Sequence, residues 1–148
     1  MATHRWTGDQ PAIAQVLTIT LAEDWDATEV VTLTCGGESV VYTAGSAVET
    51  DEAPLLRDAW NASTFGAHAE ITATSSGLTV TLTAGTAGVP FTVTVSITGT
   101  GTLSYVHTTG NAGPNIWNAS NFDSAAWPVD ADTVIFENSS VSLLYGLS

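Results

Sequence analysis

The sequence predicts a mainly β fold: a small sandwich-like domain built as β-hairpin, one short α-helix and β-hairpin, followed by a short β-extension. Three observations predict it. Two dozen Thr residues interleave with Val, Ile and Leu along the 148 residues, which suits a pleated, half-buried surface because β-branched side chains lose rotamer freedom in helices. Gly-rich clusters punctuate those runs where turns are needed. Only one stretch departs from a period of two.

The elements follow in order. Over residues 13 to 21, "IAQVLTITL" places Leu17, Ile19 and Leu21 on one face and Thr18 and Thr20 on the other, the pattern of a half-buried strand. The acidic "AEDWDATE" that follows reads as a loop. In "VVTLTCGGESVVYTAG" two β-branched runs flank Gly36-Gly37, which supply the positive φ angles of a tight hairpin. Then the period changes: "TDEAPLLRDAWNAS" carries Leu55, Leu56, Ala59 and Trp60 at helical spacing, with Asp51 and Glu52 suited to a first turn and Pro54 to a helix start. The expectation is the chain's one helix, from about 51 to 62, whose Leu55 and Trp60 face covers a sheet.

Ile71, then Leu78, Val80 and Leu82, then Phe91, Val93, Val95 and Ile97 form period-two apolar faces of two or three further strands, with turns at Ser76-Gly77 and at 85 to 88. A strand over 102 to 108 precedes the Gly/Asn/Pro loop "TTGNAGPN", taken as a boundary between a β-rich domain, 1–109, and a second segment, 110–148. That segment is an aromatic-rich connector, "IWNASNFDSAAWP", and two terminal strands around an Asn138-Ser139 turn.

Charge narrows the function classes. The chain has 15 acidic residues and two basic ones, Arg5 and Arg57, for a net charge of -13. Nucleic acid and anionic membrane surfaces both require Lys or Arg and are excluded as partners. With no Lys, Schiff-base chemistry is excluded too. The opening "MATHRWTGDQPAIAQ" holds no apolar stretch before a cleavage site, and no run approaches the ~18 apolar residues of a membrane helix. Synthesis in a cytoplasm without export or membrane insertion is the expectation.

Candidate chemistry is sparse. Cys35 alternates with Leu33 and Val31 and reads as a small buried hydrophobe; alone, it makes no intrachain disulfide. Asp123, Asp130 and Asp132, or Glu23, Asp24 and Asp26, could gather around calcium, but neither group forms an EF-hand loop, so turn-forming Asp is the simpler reading. His4, His68 and His107 are scattered without zinc spacing, and His107 reads as a solvent-side residue of its strand. No nucleophile elbow, phosphate loop or dinucleotide fingerprint occurs. The expectation is a protein with no enzymatic activity, no cofactor and no metal. Trp25, Trp117 and Trp127 lie in loops or connectors where they could stack on sugars. Val134, Phe136, Val141, Leu143 and Tyr145 make an apolar terminal edge that calls for a neighbouring strand, which predicts a homo-oligomer.

Two resemblances extend this reading. The segment from about 29 to 97, with Tyr42-Thr43-Ala44-Gly45, Ala59 and Asn61, and the run through Leu82-Thr83-Ala84, Ala87-Gly88 and Phe91-Thr92-Val93, resembles a hairpin, helix, hairpin module of bacteriophage virion proteins, especially tail-associated ones, and of bacterial surface proteins. Residues 117 to 147, with Trp117-Asn118, a Pro-containing turn and "DTVIFENSSVSLLYGL", resemble the opening of a right-handed parallel β-helix. Together they imply a structural protein of a virus particle, tail-associated or capsid-decorating, assembled in a host cytoplasm with other virion proteins as partners. The alternative they imply is a carbohydrate-binding or adhesin module at a cell surface, with glycans as ligands.

Overall fold

A computed structural model describes residues 1–22, 25–113 and 118–136. Nine strands form three sheets among the described residues: β1 (Thr3–Trp6), β2 (Val16–Leu21), β3 (Val30–Cys35), β4 (Glu38–Thr43), β5 (Ile71–Ser76), β6 (Thr79–Ala84), β7 (Val93–Thr98), β8 (Leu103–Thr109) and β9 (Thr133–Phe136). Helix α1 (Glu49–Asn61) joins β4 to the one-turn helix α2 (Gly66–Ala69), and a 3-10 turn covers Ala119–Asn121. The mainly β, sandwich-like architecture is the one the alternating Thr and aliphatic runs predict.

Two antiparallel sheets make the sandwich, with strand orders β5-β6-β2-β8 and β4-β3-β7. Their registers explain the core. Residues directly opposite share a face, and Leu17 and Ile19 of β2 oppose Leu82 and Val80 of β6. In the other sheet Val31 and Leu33 of β3 lie between Tyr42 and Val40 of β4 and Ile97 and Val95 of β7. A one-residue slip in either pairing would turn these apolar rows to solvent. The β3–β4 hairpin turns through Gly36 and Gly37 at φ 63° and 86°, both in the left-handed region that favours glycine.

Helix α1 crosses from the edge strand of one sheet, β4, to the edge strand of the other, β5, and closes that side of the sandwich. Its inward stripe is Glu52, Ala53, Leu56 and Trp60. This corrects the expected face: Leu56 is fully buried whereas Leu55 is 48% exposed. Adjacent helical residues point about 100° apart, so only one Leu can face the sheet. The C-terminal end is pinned to β5 by three bonds. Trp60 donates its indole N–H to the Ile71 carbonyl (2.9 Å), and Asn61 both donates to the Ala73 carbonyl (2.9 Å) and accepts from its amide (3.0 Å). Nor is α1 the only helical turn. In α2, His68 stacks on Trp60 with centroids 4.6 Å apart, faces the Glu38 carbonyl through Nε2 (3.2 Å), and accepts from the Ser63 hydroxyl at Nδ1 (2.7 Å).

Two of the links between the sheets wrap a buried carboxylate. After β4, Glu52 accepts from the Tyr42 hydroxyl and the Gly45 amide. Burial, then the Glu52 contact, push the Tyr42 phenol well above its ordinary range. Between β7 and β8, Glu29 accepts from the Gly101 amide and the Thr100 hydroxyl. Gly99 has φ 113°, and a Cβ there would lie 2.7 Å from the Glu29 side chain, so this link needs glycine on both counts.

The third sheet lies outside the sandwich. β1 and β9 pair in parallel, Thr3 to Trp6 against Thr133 to Phe136, bringing the start of the chain beside a segment 130 residues later. Trp6 packs edge-on against Phe122 (5.2 Å) and is tilted against Phe136 (6.0 Å). The sandwich is therefore inserted between β1 and the 3-10 turn. Its two crossing points touch at a bridge in which Ile13 donates to the Ala112 carbonyl (2.8 Å). Asn121, fully buried, ties the two parts: its Oδ1 accepts from the Gln10 amide (2.8 Å), its Nδ2 donates to the Gly113 carbonyl (3.2 Å), and its carbonyl accepts from the Thr7 amide (2.8 Å).

Candidate functional site

β1 alternates in burial, with His4 and Trp6 inward and Thr3 and Arg5 outward. That alternation delivers His4 into a polar clasp that the sequence reading did not foresee. Its Nε2 lies 3.0 Å from Asp132 Oδ2, just before β9, and its Nδ1 lies 2.6 Å from the hydroxyl of Ser124, in the turn after the 3-10 segment. The His4 and Asp132 side chains are almost wholly covered, whereas Ser124 is exposed.

Asp132 is the anchor. Its carboxylate accepts from the Ala2 amide (2.6 Å) and the Val129 amide (3.1 Å), and these two bonds, followed by the His4 bond, bring its pKa down to about 2. Donors aimed at the charged form stabilise it. An anionic Asp132 requires a proton on His4 Nε2, so in neutral His4 the Nδ1 lone pair faces the Ser124 hydroxyl. Ser124 then donates to His4. Next to it, Ala125 has φ 49°, a left-handed conformation costing about 1–2 kcal/mol for a residue with a Cβ.

The residues singled out from sequence scatter. Trp25 belongs to the core: it is 3% exposed and its indole N–H donates to the Thr102 carbonyl (3.1 Å), so its ring offers no stacking face. The acidic sequence around it hides this burial, because its hydrogen-bond partner, Thr102, lies 77 residues along the chain. Trp127, three residues after Ser124, is 48% exposed. Trp117 lies outside the described residues, as do Val141, Leu143 and Tyr145. On β9, Val134 is half-buried opposite His4, and Phe136, opposite Trp6, is exposed.

The carboxylates considered for calcium make local bonds. Asp123 accepts from the Arg5 amide (2.9 Å), Asp130 from the Ala131 amide (3.0 Å), and Asp26 from the Thr100 hydroxyl (3.3 Å). Glu23 and Asp24 lie outside the described residues. Among the described residues no three His, Cys, Asp or Glu side chains cluster as a metal site. Cys35 is buried, its thiol pKa raised by that burial, and it lines a cavity of about 430 Å³ with Ala67, Ile71, Ala84 and Phe91.

One surface stands apart from these. β8 is an edge strand of seven residues, bonded to β2 on one side, and Ser104 to Thr108 are all exposed. Tyr105 and His107 oppose Ile19 and Leu17, so they continue the core face of β2 beyond the sandwich's cover. His107 is exposed, but not for the reason its alternation suggests: it lies on the core-side face and is bare because the cover ends there, with Nδ1 3.2 Å from the Gln15 amide nitrogen.

Among the described residues no helix is long and apolar enough to cross a membrane. No protein-family model matches the chain, and no curated protein matches it.

Proposed function

We propose that this chain is a structural subunit of a virus particle, tail-associated or capsid-decorating, that works by associating with copies of itself and with other particle proteins. The observation that carries the assembly reading is β8. A strand of that length with its outer edge unpaired among the described residues, and with Tyr105 and Val106 bare on opposite faces, is a template for pairing with another chain. The parallel pairing of β1 with β9 adds support, since it has the strand sense of a parallel β-helix coil. The assignment to a virion rests on the module resemblance. Assembly itself requires no chemistry.

Light scattering across a concentration series tests the assembly. The expected result is a discrete oligomer that Val106→Lys, placing a charge on the outer face of β8, shifts towards the monomer. A single-chain mass at every concentration would overturn the proposal. The half-exposed Trp127 favours a second reading, a glycan-binding module of a cell surface. Its test is quenching of Trp fluorescence by polysaccharides, lost in Trp127→Ala.

A further inference from the structure

We infer that the clasp of Ser124, His4 and Asp132 is an acyl-transfer site in which Ser124 is the nucleophile, His4 its general base and Asp132 the residue that positions the base. Three separate features carry it. The contacts run in the order nucleophile, base, orienting carboxylate, at 2.6 and 3.0 Å. Asp132 is held by two backbone amides besides His4, so it cannot turn away from the imidazole. Burial also fits the roles, with the base and carboxylate covered and the serine exposed on a turn.

The ring is used in the opposite sense to the usual triad, whose serine bonds to Nε2 and whose carboxylate bonds to Nδ1. The chemistry survives the reversal because a neutral imidazole has one donor and one acceptor nitrogen whichever way it is turned. Asp132 fixes the proton on Nε2, leaving the basic Nδ1 towards Ser124.

The reaction class is transfer of an acyl group from an ester. The Ser124 Oγ attacks the ester carbonyl as its proton passes to His4 Nδ1, and Asp132 stabilises the imidazolium. The C–O bond to the alcohol breaks, the alcohol leaves with the proton from His4, and the acyl group remains on Ser124. Water, deprotonated by His4, then attacks the acyl-serine, releasing the carboxylic acid and restoring the hydroxyl. The exposed Trp127 ring on the same loop is a surface for the alcohol portion of the ester. A purely structural clasp would have the same hydrogen bonds without reactivity, and the experiment separates the two.

The intact chain is incubated with a fluorophosphonate probe, and labelled peptides are identified by mass spectrometry. The expected result is one label per chain, on Ser124, absent in Ser124→Ala. It should form roughly 100-fold more slowly in His4→Gln, the scale of losing a general base. Asp132→Asn should also slow it while thermal unfolding shows the variant folded. No label on the folded wild-type chain, or equal labelling in a folded His4→Gln, would overturn the inference. Should His4→Gln fail to fold, Ser124→Cys decides. A thiol facing a histidine base becomes a thiolate more readily, so its alkylation by iodoacetamide at neutral pH should exceed that of a free cysteine peptide at least tenfold. A rate no faster than the peptide's would equally overturn the inference.

Discussion

Leu55 and Leu56 are neighbours in sequence and opposites in the fold, which makes them a matched pair for testing how α1 closes the sandwich. Leu56 is fully buried beside Ala53 and Trp60, and Leu55 is 48% exposed. Truncation to Ala removes three carbons from either. At Leu56 the lost transfer free energy is about 2.4 kcal/mol, at ~0.8 kcal/mol per buried methylene. The cavity left behind raises the cost to about 3–4 kcal/mol, within the usual range for a buried Leu. Global stability of a domain is about 5–15 kcal/mol, so Leu56→Ala should lower the melting temperature by about 10 °C. Leu55→Ala should change stability by under about 0.5 kcal/mol, because solvent already reaches the side chain and Ala favours the helix. Urea unfolding followed by Trp fluorescence, with circular dichroism melts, measures both. Equal losses in the two variants, or a larger loss at Leu55, would refute the placement of the helix face.

Further outcomes follow from the turns and the buried polar groups. Gly36→Ala should destabilise by about 2 kcal/mol or more, because it strains a residue at φ 63° and sets a Cβ 2.7 Å from that of Ala67. Gly37→Asn, at φ 86° with open space around it, should cost under about 1 kcal/mol in the same denaturation assay. Asp132, whose pKa is lowered to about 2, contributes stability that is present above the ordinary value of 3.8 and lost as pH falls towards 2. Melts from pH 5 downward should therefore show the wild type losing its advantage over Asp132→Asn across that window. Tyr42 has a raised pKa, so its contribution is present below its ordinary value of 10.0 and lost as pH rises beyond it. Tyr42→Phe should be less stable at neutral pH and should show a smaller alkaline decline.

What could be read from the sequence was whatever is local. Period-two runs located β2, β3, β4, β6 and β7, and Gly36-Gly37 marked the β3–β4 hairpin because a two-residue turn needs positive φ angles. The choice between Leu55 and Leu56 was not local, since it depends on which residue meets β5. Trp25 misled for a related reason: its acidic neighbours describe solvent, while the carbonyl that receives its indole N–H is at Thr102. The clasp is the extreme case. His4, Ser124 and Asp132 share no motif or spacing, and a parallel partner for a four-residue strand leaves no pattern near that strand. The one local trace was "THRW" itself, whose His and Trp alternate with Thr and Arg like a half-buried strand.

The bridge between Ile13 and Ala112 carries a consequence for the order in which the molecule forms. Pairing β1 with β9 in an unfolded chain would close a loop of well over a hundred residues. Once the sandwich has folded, that bridge short-circuits roughly a hundred of them, and the loop left to close is a few tens of residues long. Since each doubling of a loop costs about 0.6 kcal/mol, the shortcut lowers the closure penalty by roughly 1.3 kcal/mol. The molecule is thus hierarchical in time: the inserted part acts as a staple for the ends, and β1 waits for its partner until both have been drawn together.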